Sequence, residues 1–173
     1  MATVPHGEPA PSPAMPIAEA TEEKTYHRIM DAFYHTLSAA PDMAQGFNAL
    51  YDKLHHLDLD PKLVELAYLM VSKVNNCRYC VHVHTYLGRQ EGLTDAQLTE
   101  LDNYRESDAY DTLQKLILRY AEDITRKIHS DPRIVEGLKQ FLTEKELVEL
   151  AMTVGVANMA NRLADLVTVP SPH

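Results

Sequence analysis

The chain has 173 residues, 45% of them apolar, with 16 Lys plus Arg against 25 Asp plus Glu, two Cys and no Trp. That composition describes one soluble globular domain, large enough to bury a core without a disulfide staple, so both cysteines are free for chemistry. A formal charge of -9 repels nucleic acid and anionic membranes, no Lys/Arg run offers a local exception, and no stretch reaches the ~18 uninterrupted apolar residues of a membrane span.

In chain order, the start MATVPHGEPAPSPAMP has neither the basic nor the apolar region of a signal peptide. Its prolines (Pro5, Pro9, Pro11, Pro13, Pro16) rule out a helix interior or a strand ladder. Residues 1–19 are therefore expected to form a disordered or extended tail, ahead of a single helical domain over 20–169. The expected compartment is the reducing cytoplasm, where paired cysteines are more often catalytic or metal-binding than structural. From Thr21 onward apolar positions recur three and four apart, and runs alternating every second residue are missing. The fold class read from this pattern is all-α, about seven to eight helices and no sheet.

The spacing predicts helices near 22–38, 42–55, 61–74, 78–90, 94–103, 109–129, 132–141 and 144–168. Asp60-Pro61 and Asp131-Pro132 each set a capping carboxylate before a proline at the first helical position. Thr94 with Gln97, and Thr143 with Glu146, fit capping boxes, while Gly88 and Gly92 bracket a break. Leu113, Leu116, Ile117, Tyr120, Ala121, Ile124 and Ile128 form a core stripe. The apolar residues of 26–51 (among them Tyr26, Met30, Phe33, Tyr34, Phe47 and Tyr51) exceed what one small core needs, so a homo-oligomer is expected. The helix over 144–168 is apolar on most sides, which places it centrally with Glu149 and Arg162 each held by hydrogen bonds. LVELA occurs at 63–67 and again at 147–151. If that echo marks a duplication, two long helices occupy related places and Asn161 answers Cys77.

The informative stretch is Asn75-Asn76-Cys77-Arg78-Tyr79-Cys80-Val81-His82-Val83-His84. On a helix, Cys77, Cys80 and His84 share one face, and a cysteine in the first turn meets the unpaired amides that favour a thiolate. Three readings follow from the residues. The cysteines could pack as small hydrophobes. They could hold a metal with His84 and either His82 or Glu65, although a structural zinc site usually draws on a second C-x-x-C that this chain lacks. They could run dithiol–disulfide chemistry, without a thioredoxin scaffold, since no parallel strand accompanies the motif. His82 points off the shared face, and His55 and His56 have no visible partner. Glu65 falls with Lys62, Leu69, Ser72 and Lys73 at helical spacing, so pattern alone slightly favours a solvated stripe.

Glu65, Cys77, Cys80 and His84, spaced E-x(11)-C-x-x-C-x-x-x-H, resemble the signature of the alkylhydroperoxidase AhpD-like group of the carboxymuconolactone decarboxylase-like superfamily. The likeness runs from Pro61 through GLTDAQLTEL, LILRYAEDITR, LTEKELVELA and ANRLADL, about 61–168. It implies an AhpD-like helical fold assembling into trimers or hexamers, and a cofactor-free thiol peroxidase acting on hydroperoxides. The implied reductant is a dithiol partner, with a lipoyl-bearing protein as the family's suggestion. By position, Cys80 matches the peroxidatic cysteine, Cys77 the resolving one, and Glu65 and His84 the proton relay. Tyr79 stands where the best-known members carry a further histidine, a departure that bears on how Cys77 is activated. The superfamily's decarboxylases lack the cysteine pair, which argues against lactone decarboxylation. The alternative of a different class is a redox-sensing or metal-binding helical module without turnover.

Overall fold

Backbone groups at the two ends of each helix decide where the elements begin and stop. In the computed structural model, which describes residues 22–168, the chain forms α1 (Glu22–Leu37), α2 (Pro41–Lys53), α3 (Pro61–Val74), α4 (Arg78–Gln90) and α5 (Asp95–Thr99). A 3-10 turn (Leu101–Asn103) then leads to α6 (Thr112–Lys127), α7 (Pro132–Leu138) and α8 (Glu144–Ala164). No strand occurs among the described residues, and the fold is the expected all-α one. Asp60 accepts from the Lys62 amide at 2.8 Å and Asp131 from the Arg133 amide at 2.9 Å, so both aspartate–proline starts work as caps. Complete capping boxes close the starts of α5 and α8, and a third, Asp111 with Gln114, opens α6.

Two boundaries differ from expectation for physical reasons. The predicted 94–103 helix divides, because α5 ends at Thr99 and a separate 3-10 turn follows. The core stripe of α6 stops at Ile124: Ile128 takes a left-handed backbone (φ 71°) just past the helix end and is 88% exposed, so it leaves the stripe. The proposed tail at 1–19 lies outside the described residues.

Every residue of α3 from Leu63 to Ser72 is buried, and this helix packs against α4, α6 and α8. α3 and α8 run side by side and parallel. At one end Glu149 Oε2 accepts from the amides of Asp58 and Leu59, at 3.0 and 2.9 Å, just ahead of α3. At the other, Asn158 and Asn161 meet Asn75 and Ser72. Glu149 is thus buried and satisfied as expected. Arg162 is exposed, and its guanidinium donates to the carbonyl and Oδ1 of Asn158 in its own helix.

α8 is not buried all round. Leu150, Val154, Ala157 and Ala160 face the core, whereas Val148, Met152 and Met159, with Leu166 just past the helix end, stand in the open. Conversely, the surplus apolar side chains of 26–51 are used internally: Ile29 and Phe47 are buried, and most of the others are half-buried. Uncovered apolar surface thus lies on α8, and Tyr34 of α1 and Met43 of α2 are exposed as well. None of the described helices is long and apolar enough to cross a membrane.

Candidate active site

The site is built on the break between α3 and α4. Asn76 adopts a left-handed backbone (φ 55°), which asparagine tolerates better than most residues, and two amides then fold back onto α3. The Asn76 N–H donates to the Lys73 carbonyl at 3.1 Å and the Cys77 N–H to the Ser72 carbonyl at 3.0 Å. This Schellman stop seats Cys77 as the N-cap of α4, its Sγ 3.3 Å from the Cys80 amide. Cys77 and Cys80 are joined as a disulfide, with Cα atoms 5.3 Å apart. The bond lies at the head of a helix, where free amides and the dipole favour the thiolate that reduction would release.

One turn on, His84 is 4% exposed, and its Nδ1 lies 2.8 Å from Oε2 of Glu65, itself 8% exposed. Glu65 is therefore a buried partner of His84 and not part of a solvated stripe. An ionised Glu65 can only accept, so it requires the proton on Nδ1 and leaves Nε2 as the basic nitrogen. The Tyr68 ring stacks on the imidazole with centroids 3.5 Å apart, which fixes the ring plane. Gly88, one turn beyond His84, leaves room for Leu93: a Cβ there would lie 2.6 Å from Leu93 Cδ1, and at an ordinary 3.7 Å from Glu65 Cβ.

A cavity of about 40 Å³ opens onto His84 and Cys80. Ile29, Met30, Phe33 and Tyr34 of α1 and Phe47 and Tyr51 of α2 form one side. Tyr79, Cys80, Val83 and His84 of α4 form the floor, with Tyr68 of α3 and Ala160, Ala164 and Val167 closing it. Cys80 lines the cavity; Cys77, half-buried, is not among its walls. Burial first, and the Glu65 charge second, push the Tyr51 phenol well above its usual range. Tyr68 is raised chiefly by burial, then by Tyr51 and Glu65, so both phenols stay neutral.

The structure thus brings together the four residues singled out from the sequence, Glu65, Cys77, Cys80 and His84. Among the described residues no group of three or more His, Cys, Asp or Glu is placed to hold a metal ion. His82 is half-buried, and its Nε2 has no hydrogen-bond partner among the described residues. His55 and His56 are exposed, with the His55 ring set edge-on to Tyr51 at 5.5 Å. Sequence reasoning missed the aromatic wall of the cavity. Its signal was present in Met30, Phe33 and Tyr34, and in Phe47 with Tyr51, at helical spacing.

The carboxymuconolactone decarboxylase family model matches residues 41–123, which contain all four site residues. The same residues carry the AhpD-like signature, and AhpD-like proteins share the fold. Over that stretch the chain is similar to the carboxymuconolactone decarboxylase family, and its fold is AhpD-like. The chain is 28% identical over 104 residues to the uncharacterised protein YdfG of Bacillus subtilis, covering 58% of this chain and 69% of that one. A protein of unknown function from Agrobacterium tumefaciens, for which an AhpD role in antioxidant defence has been suggested, superposes with a TM-score of 0.72 at 23% identity. That match covers 79% of this chain and 95% of the other. The debrominase Bmp8, in a cysteine-to-alanine variant bound to 2,3,4-tribromopyrrole, superposes with a TM-score of 0.71 at 16% identity, over 86% and 84% of the two chains. At these identities the structural matches speak for the fold.

Proposed function

We propose that this AhpD-like protein is a thiol-dependent peroxidase that reduces hydroperoxides through a Cys77–Cys80 dithiol/disulfide cycle. The observation that carries this reading is the disulfide at the head of α4, with Cys80 facing an apolar cavity beside the buried Glu65–His84 pair. Cys80 as thiolate attacks the distal peroxide oxygen, the S–O bond forms as O–O breaks, and the leaving alkoxide takes a proton. His84, held in its tautomer by Glu65, accepts the thiol proton and returns it to the alkoxide, general acid–base work typically worth about 10²–10⁴-fold. Cys77 then attacks the Cys80 sulfenic acid, water leaves, and the disulfide forms. A dithiol reductant, for which a lipoyl-bearing protein is our candidate, supplies the two electrons and two protons that restore both thiols.

The cavity supports a neutral, apolar hydroperoxide as substrate, because its walls bring no cation other than a protonated His84 and the phenols facing Glu65 stay neutral. We place the activity in the cytoplasm and in a homo-oligomer in which the open apolar face of α8 is covered by a second copy. A monomer by light scattering at micromolar concentration would remove the assembly part.

The decisive experiment follows the two thiols separately. Cys80→Ser abolishes reaction with peroxide, whereas Cys77→Ser reacts once and halts as a sulfenic acid trapped by a dimedone-type probe. If the two variants exchange behaviours, the order of attack is reversed; if neither wild type nor Cys77→Ser consumes peroxide, the peroxidase reading fails.

A second reading is favoured by the apolar character of the cavity: reductive dehalogenation of a small halogenated aromatic ring. Cys80 as thiolate takes the halogen, the ring carbanion is protonated, and Cys77 displaces halide from sulfur to give the same disulfide. Bromide release from 2,3,4-tribromopyrrole, with dithiothreitol as reductant, separates it from peroxide reduction.

A further inference from the structure

The packing between α3 and α8 is apolar along most of its length but ends in a chain of hydrogen-bonded side chains directly beneath the cysteine turn. Asn75 Nδ2 donates to Asn161 Oδ1 at 3.0 Å and to Asn158 Oδ1 at 3.1 Å. Asn161 Nδ2 donates to Ser72 Oγ at 3.3 Å. Asn158 Nδ2 donates to Thr125 Oγ1 at 3.1 Å and to the Val154 carbonyl at 3.0 Å, tying the chain to α6. Ser72 and Asn161 are buried, and Asn75 and Asn158 are half-buried. Leucine or alanine would fill an α3–α8 contact without partners, so a connected amide network here fixes geometry that apolar packing leaves loose.

The geometry it fixes is that of the resolving thiol. Ser72, held by Asn161 through its hydroxyl, holds the Cys77 amide through its carbonyl at 3.0 Å. Asn75, held by two asparagines of α8, is the C-cap of α3 and precedes the left-handed Asn76. Both residues on which the α3–α4 turn depends are therefore anchored to α8. None of the amides lines the apolar cavity.

We infer that Asn75 and Asn161 are positioning residues that hold Cys77 within reach of Cys80 after reduction, and so set the equilibrium between dithiol and disulfide. This rests on the redox reading of the cysteine pair and is independent of which substrate oxidises it. With the network intact, the reduced turn already has the conformation the disulfide needs, and little freedom is lost when the S–S bond forms. With it broken, the reduced turn explores other conformations and bond formation becomes less favourable.

The test is the equilibrium of the full-length protein with glutathione: protein disulfide plus two glutathione thiols against protein dithiol plus glutathione disulfide. For Asn161→Ala and Asn75→Ala the equilibrium constant for forming the disulfide is expected to fall about tenfold. That corresponds to a reduction potential higher by about 30 mV. Leu138→Ala, which opens a cavity at the buried end of α7 far along the chain from the cysteines, is expected to lower the Tm and leave the potential unchanged. In a Cys77→Ser background, Asn161→Ala should leave the rate of Cys80 oxidation by hydrogen peroxide within twofold, because the network acts on the other thiol. Equilibrium constants within about 1.5-fold of wild type for the folded asparagine variants, or a tenfold fall in Leu138→Ala as well, would overturn the inference. If Asn161→Ala does not fold, the half-buried Asn75→Ala decides alone. Absence of any peroxide consumption would remove the peroxidase reading but leave this measurement intact.

Discussion

Replacing Glu65 by Gln keeps the shape of the Glu65–His84 pair and a hydrogen bond, and removes only the charge. Both side chains are nearly shielded from solvent, so the charge acts through protein rather than water. A carboxylate and an imidazolium with N and O 2.8 Å apart attract by about 6 kcal/mol at an effective dielectric near 20, before the cost of desolvating each. In the proposed relay His84 becomes an imidazolium as it takes the thiol proton, and the attraction counts where that charge develops on the way to the barrier. If even a quarter of it has developed at the barrier, about 1.5 kcal/mol, losing it slows peroxide reduction about tenfold. The assay is stopped-flow loss of free thiol from fully reduced protein with a hydroperoxide in excess, with the two thiols per chain confirmed by titration beforehand. A rate within twofold of wild type refutes the reasoning, because an exposed carboxylate contributes under ~1 kcal/mol, and leaves His84 to handle the proton alone.

Three further outcomes follow from particular residues. Ile128→Gly relieves a left-handed β-branched residue whose side chain is 88% exposed and should stabilise by about 1 kcal/mol, read as a Tm rise of about 2–4 °C; a fall in Tm refutes it. Glu149→Ala orphans the amides of Asp58 and Leu59 and should cost about 2–4 kcal/mol in urea unfolding, while Glu149→Gln, which keeps an acceptor, should cost less. Burial alone would raise the Asp123 carboxyl, but its bonds to Arg119 and Lys127 outweigh that and hold it below its usual 3.8. Its contribution is therefore full above that value and lost as pH falls through the lower folded-state value; Tm measured down to pH ~2 should fall less steeply for Asp123→Asn than for wild type.

The helix starts were legible because they are local chemistry: a proline preceded by aspartate, or a threonine followed by glutamine or glutamate, caps a helix whatever surrounds it. Ile128 was not legible, since helix spacing continues through it and only the left-handed turn after Lys127 takes it out of the stripe. At the site, C-x-x-C followed by x-x-x-H placed three side chains on one face from spacing alone. Glu65 needed more than pattern, because its burial depends on how α4 folds back across α3, a packing geometry that spacing within one helix does not contain. The same limit hid the asparagine network. Asn75 and Asn161 are 86 positions apart, and nothing local to either announces the other.

The parallel helices α3 and α8 each carry a glutamate of the repeated LVELA, in different employment. Glu65 meets an imidazole, whereas Glu149 clamps a loop. What separates the two helices is not the acid but the stop. α3 ends at Val74 and turns left-handed at Asn76 to seat a cysteine, while α8 runs through Asn161 to Ala164 without a break. Redesigning such a scaffold to carry a second redox centre would therefore begin by interrupting a helix. A buried carboxylate is already in place on α8, and the thiols have nowhere to sit until the backbone turns.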